Sequence, residues 1–114
     1  MAKVLLAEDD PTMVSLLKVL LKMEGFDVVA LSSDANVPDS VVSEKPDVLF
    51  MDVHIGQQNG MDIMKLIRKN PETSGLRVVM TSGLNVKDEC LRCGANHFLL
   101  KPFMPDDLIS VLKQ

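Results

Sequence analysis

Four short apolar runs in this chain each end on a side chain able to do chemistry. Val4-Leu5-Leu6-Ala7 runs into Glu8-Asp9, Val48-Leu49-Phe50-Met51 into Asp52, Val78-Val79-Met80-Thr81 into Ser82, and Phe98-Leu99-Leu100 into Lys101. Alone, an Asp at the end of such a run reads more readily as a loop cap. Together, three carboxylates, a hydroxyl and an ammonium make a set. Two unit charges about 4 Å apart repel by roughly 4 kcal/mol at an effective dielectric of about 20, and a fold has no structural use for that repulsion. A hard divalent cation removes it: Mg²⁺ takes oxygen ligands, keeps several waters, and is held by one or two carboxylates plus phosphate oxygens. The hydroxyl and the ammonium can hold oxygens of a phosphoryl group. The chemistry that uses the whole set is Mg²⁺-assisted phosphoryl transfer onto a carboxylate, with Asp52 as nucleophile and an acyl phosphate as product.

Such residues meet only if the elements carrying them end on one rim. Apolar runs bounded by turn residues read as strands buried on both faces. After the first, Pro11 suits the first turn of a helix preceded by acids. Met13, Val14, Leu16, Leu17, Leu20 and Leu21 form one helical face, and Gly25 stands where the helix ends. Residues 26–31 read as a second strand, 38–44 as a short, weakly signalled helix, and 47–51 as a third strand. A polar loop over 53–60 leads to a helix over 61–69, which Asn70-Pro71 stops. A fourth strand over 77–81, a helix near 86–93 ending at Gly94, a fifth strand over 96–100, and a helix running to Lys113 complete the chain.

Strand and helix alternate five times. This predicts an α/β fold: a (βα)5 doubly wound, parallel five-stranded sheet with right-handed crossovers and the flavodoxin-like strand order 2-1-3-4-5. Ligands of such sheets bind outside the carboxyl ends of the strands, where Glu8, Asp9, Asp52, Ser82 and Lys101 all fall. The second strand, at an edge, ends in Ser32-Ser33 and offers nothing.

Composition bounds the function. With 114 residues, 46% apolar and 25% charged, the chain fits one domain around one core. A single domain over 1–114 with no output domain is expected. The net charge of -4 carries no basic footprint, so direct nucleic-acid contact is not expected. No apolar run approaches a membrane span, and the first is too short for a signal-peptide core. Two cysteines make no disulfide framework. The expected location is the cytoplasm.

The ordered motifs resemble the receiver domain of two-component response regulators, of the kind seen in chemotaxis regulators, over residues 4 to about 113. They are Leu-Leu-Ala-Glu-Asp-Asp (5–10), Leu-Phe-Met-Asp (49–52) with Gly60 eight residues on, Val-Val-Met-Thr-Ser-Gly (78–83), and Gly-Ala-Asn-His-Phe-Leu-Leu-Lys-Pro-Phe (94–103). The resemblance implies that Asp52 accepts phosphate from a histidine kinase or phosphotransfer protein, and that the change in surface controls a downstream partner or attached output domain. It implies Mg²⁺ held by Glu8, Asp9, Asp52 and the backbone carbonyl of His54, with Asp9 the more direct of the acid pair. Ser82 becomes the switch hydroxyl, with Thr81 the alternative, and Phe98 the aromatic that moves with it. Lys101 becomes the contact to phosphoryl oxygens, and the Lys101-Pro102 peptide is cis. Such a protein is not an enzyme beyond its own Mg²⁺-dependent phosphorylation and dephosphorylation. Two departures stand out: Gly56 replaces a common Pro, loosening the loop, and the fourth helix is about one turn short.

Blander and competing readings are concrete. Asp10 can be a helix cap alone. Cys90-Leu91-Arg92-Cys93 spells C-x-x-C, but a redox pair should open a helix after a strand, and these lie inside or near the end of one. With His97 they offer only three zinc ligands. The His54 side chain is expected to modulate access to the site. A flavodoxin would need a hydroxyl-rich loop where Glu8-Asp9-Asp10 stands, and an Asp-nucleophile phosphatase wants an acid where His54 stands. The competing class is a phosphorylation-independent interaction module on the same fold.

Overall fold

The computed structural model describes residues 2–114. Its elements are β1 (Lys3–Ala7), α1 (Pro11–Met23), β2 (Asp27–Ala30), α2 (Val37–Glu44), β3 (Val48–Asp52), β4 (His54–Ile55), β5 (Gln58–Asn59), α3 (Gly60–Lys69), β6 (Arg77–Ser82), α4 (Lys87–Arg92), β7 (His97–Leu100) and α5 (Pro105–Leu112). Among the described residues the main sheet has five strands in the order β2-β1-β3-β6-β7, all parallel. Counting only its strands, that is the 2-1-3-4-5 order the alternation predicts.

The apolar runs form strands because both faces of the sheet are covered. Alternate residues of each central strand enter opposite cores, as the period of two requires. Leu5, Ala7, Leu49, Met51, Val78 and Met80 pack with Val41, Ile63, Met64, Ile67 and Cys90 from α2, α3 and α4. Val4, Leu6, Val48, Phe50 and Val79 pack with Leu17, Leu21, Leu108 and Leu112 from α1 and α5. Two buried layers fix the register, since a one-residue slip would exchange them.

The differences from the sequence expectation are local. The second helix opens at Val37 because the Asn36 side chain accepts the Asp39 N–H at 3.0 Å, a cap that Pro38 hides in the sequence. The loop over 53–60 contains a two-residue antiparallel ribbon, β4 against β5, pairing His54 with Asn59 and Ile55 with Gln58. Two-residue strands leave no periodic signal. The fourth helix spans only Lys87–Arg92 and has no side-chain cap at its start.

Candidate functional site

The three acids after β1 separate by direction. Asp10 caps α1, accepting the N–H groups of Thr12 at 3.0 Å and Met13 at 3.3 Å. Glu8 turns inward, 2% exposed, and accepts the Asp10 N–H at 3.2 Å. Asp9 stays exposed and accepts the Gly56 N–H at 2.8 Å, tying the β1–α1 loop to the turn of the ribbon.

Asp52 ends β3 and is 7% exposed. Its Oδ1 accepts the His54 N–H at 2.9 Å and its Oδ2 accepts Lys101 Nζ at 2.6 Å. Lys101 Nζ also donates to Glu8 Oε2 at 2.9 Å, so one ammonium lies between two inward carboxylates. The Lys101-Pro102 peptide after β7 is cis. Burial pushes the Glu8 carboxyl above its ordinary value; Lys101 pulls it back, but Asp52 pushes it up again and the net is upward. Burial pulls the Lys101 ammonium down, yet its bonds to Asp52 and Glu8 outweigh that and hold it above its ordinary value.

Within the chain itself, Lys101 meets part of the repulsion among the clustered acids. Glu8 and Asp52 share that ammonium, and Asp9 points toward Gly56. Among the described residues no three His, Cys, Asp or Glu side chains converge as a ligating group. The donor chemistry still fits Mg²⁺, because Glu8, Asp9 and Asp52 are hard oxygen donors carried side by side on the ends of adjacent parallel strands.

Two hydroxyls follow β3 across the sheet. Thr81 pairs with Asp52 in register and donates from Oγ1 to the Leu99 carbonyl at 2.7 Å, so its proton is committed. Ser82, 3% exposed, accepts the Leu84 N–H at 3.1 Å, a bond that leaves the hydroxyl proton unused. Phe98 is partly buried against the core that includes Cys90 and Val86, which links β7 to α4. Cys90 is buried and Cys93 partly buried, both as free thiols. The His54 side chain is exposed beside the site.

Two residues fix the site through backbone contacts that residue type does not announce, although Gly60 belongs to the motif after Asp52. A Cβ on Gly60 would meet the Asp52 carbonyl oxygen at 2.6 Å, so α3 starts against the backbone of Asp52. Gln58 donates from Nε2 to the Ser33 and Ala35 carbonyls, both at 3.0 Å. The edge strand's following loop therefore does contribute to the rim, through backbone acceptors that residue types cannot advertise.

A family model for the response regulator receiver domain matches residues 4–113. The transcriptional regulatory protein CpxR of Escherichia coli (strain K12) is 32% identical over 113 residues, covering 99% of this chain and 48% of CpxR. The DNA-binding response regulator MtrA of Mycolicibacterium smegmatis is 29% identical over 111 residues, covering 95% of this chain and 47% of MtrA. The chain spans about half the length of these curated relatives. Among solved structures, the receiver domain of Francisella response regulator 1452 superposes with a TM-score of 0.89 at 26% identity, covering 99% of this chain and 94% of that one. The receiver domain of the sensor histidine kinase PA1611 from Pseudomonas aeruginosa PAO1, solved with a magnesium ion in its active site cleft, has the same fold. Its TM-score is 0.87 at 23% identity, over 98% of this chain and 94% of that one. Among the described residues no helix is long and apolar enough to cross a membrane.

Proposed function

The chain belongs to the response regulator receiver domain family, and we propose that within it Asp52 takes a phosphoryl group from the phosphohistidine of a histidine kinase or phosphotransfer protein. The observation that carries this reading is the Lys101 ammonium held 2.6 Å from Asp52 and 2.9 Å from Glu8 on a rim of acids. A cation fixed beside a strand-end carboxylate suits the oxygens of an incoming phosphoryl group. The new P–O bond forms on an Asp52 carboxylate oxygen as the donor's P–N bond breaks, and the imidazole keeps the electron pair. The two oxygens of Asp52, at the end of the central strand, are held in place by the His54 N–H and Lys101.

Mg²⁺ would be held by Glu8, Asp9, Asp52 and the His54 carbonyl, and when bound it screens charge on the phosphoryl oxygens and orients them. Ser82 is the switch hydroxyl in this reading: its proton is free to donate to a phosphoryl oxygen, while that of Thr81 is committed. Movement of Ser82 toward Asp52 vacates room that Phe98 follows into, altering the α4–β7 surface. The partner that reads this surface is a protein, in keeping with the net charge of -4 on this stretch. The exchange belongs to the cytoplasm, and the chain catalyses only its own phosphorylation and hydrolysis.

The test is intact-protein mass after incubation with a small acyl-phosphate donor, with and without Mg²⁺. A Mg²⁺-dependent phosphoryl adduct on wild type, missing from Asp52→Asn, is expected. An adduct that persists in Asp52→Asn, or none on wild type, overturns the reading.

A further inference from the structure

The loop after Asp52 is held at three points. Asp52 itself accepts the N–H of His54. Asp9 accepts the N–H of Gly56, at the turn of the ribbon, where φ is +57°. On the far side Gln58 reaches across to the loop after β2 and donates to two carbonyls, Ser33 and Ala35. The ribbon joins these points, since Ile55 pairs with Gln58 and His54 with Asn59. Ile55 is buried at 1% exposure, so the ribbon is seated on the core from below.

These tethers are unequal. The Asp9 tether uses one oxygen, Oδ2, of a carboxylate that a cation would also draw on. The Gln58 tether uses neither an acid nor a ligating atom. Outer residues that orient ligands are worth about tenfold or more in metal affinity, and an amide with two carbonyl acceptors is specific because only a donor satisfies both.

We propose that Gln58 is a positioning residue: its amide, bonded to the Ser33 and Ala35 carbonyls, holds the loop carrying the His54 carbonyl in place and thereby sets the affinity of the site for Mg²⁺. The inference rests on the reading of the rim as a Mg²⁺ site. The Gln58 amide also places a constraint on a loop that carries glycine at position 56. Glutamate at position 58 separates this role from simple electrostatics. It has the shape of glutamine but only accepts, so it faces two carbonyls without a donor, while its added negative charge by itself favours a cation.

The experiment is direct Mg²⁺ titration of the unphosphorylated chain, followed by the amide resonances of His54 and Gly56, on wild type, Gln58→Ala, Gln58→Glu and Gln58→Lys. Amide hydrogen exchange at the same two residues is measured without Mg²⁺. Gln58→Ala and Gln58→Glu are expected to bind about tenfold more weakly and to exchange faster at Gly56. Gln58→Lys, which keeps donors, is expected to recover the protection at Gly56. Tighter binding by Gln58→Glu, or wild-type affinity in Gln58→Ala, overturns the positioning role and leaves the Mg²⁺ reading standing. Failure of wild type to bind Mg²⁺ overturns the parent reading and this inference with it. If Gln58→Ala does not fold, the Glu and Lys pair decides alone.

Discussion

A side chain on Gly60 would drive its Cβ to within 2.6 Å of the carbonyl oxygen of Asp52 and 3.0 Å of the Val53 Cα. The Gly60 N–H in turn donates to the Val53 carbonyl at 2.6 Å. The first residue of α3 is therefore packed on the backbone that aims Asp52, and the obstacle to any Cβ is main chain, which cannot rotate away.

Gly60→Ala is expected to lose about 1–3 kcal/mol of stability, the usual cost of overpacking, and to slow phosphorylation of Asp52 because the strand end must shift. Urea denaturation and the mass assay measure the two effects. Wild-type stability would mean that α3 moves off without cost, and would sink this account.

Lys101 is the counter-charge of two buried acids. Side-chain exposures are 22% for Lys101, 1% for Glu8 and 10% for Asp52. Removing one partner of a buried ion pair leaves the other uncompensated, worth about 3–5 kcal/mol when burial is complete. Because Lys101 keeps part of its surface in water, Lys101→Met is expected to cost about 2–3 kcal/mol. Millimolar Mg²⁺ should then raise the Tm of Lys101→Met by more than it raises that of wild type, since a ligand stabilises by its affinity for the folded state and the variant offers an uncompensated acid rim. Equal Tm gains would show that the ammonium and the cation do not share a site.

Cys90 adds a pH dependence of its own in the alkaline range. Burial, helped by Cys93 and Glu89 nearby, pushes its thiol up to about 11 from the ordinary 9.0. The folded chain thus holds the proton more tightly than the unfolded one. The resulting stabilisation is complete below pH 9 and drains away as pH climbs through 11. The stability difference between wild type and Cys90→Ala should therefore shrink across that window, a comparison that cancels the lysines. At pH 8 a thiol-alkylating reagent should label the partly exposed Cys93 and spare Cys90, by peptide mass. Labelling of Cys90 at a matching rate would show that α4 opens far more readily than its packing implies.

How much of this was readable in advance depends on where each signal lies along the chain. Strands such as Val48–Asp52 are legible because burial on both faces demands an unbroken apolar run and a sharp end. Asp52, Ser82 and Lys101 are legible as strand-end chemistry once the sheet order is known. Lys101 as a bridge between Glu8 and Asp52 is not, because those contacts close chain separations of 93 and 49 residues and depend on side-chain reach. Nor is the Asn36 cap, which competes with Pro38 for the start of α2, or the role of Gln58, an uncharged residue whose partners are backbone carbonyls. Residue type marks the groups with reactive chemistry; it is silent on the neighbours that fix their position.

The two hydroxyls at the end of β6 can be told apart by what each loses. Thr81 is fully buried and bonds the Leu99 carbonyl. Thr81→Val keeps the shape and strands that carbonyl, so a loss of about 1–3 kcal/mol is expected. Ser82→Ala removes only an acceptor for the Leu84 N–H in a turn where Leu84 is 66% exposed and water can replace it, so the loss should stay within about 1 kcal/mol. The ranking reverses when a phosphoryl mimic is added. Thr81→Val should still transmit the change to the Phe98 amide resonance, whereas Ser82→Ala should leave Phe98 where it stands in the unmodified chain. A full Phe98 shift in Ser82→Ala, with none in Thr81→Val, would move the switch to Thr81. The Leu99 carbonyl would then have to give up its donor each time the site is filled, coupling β7 to phosphorylation through the backbone rather than through the aromatic ring.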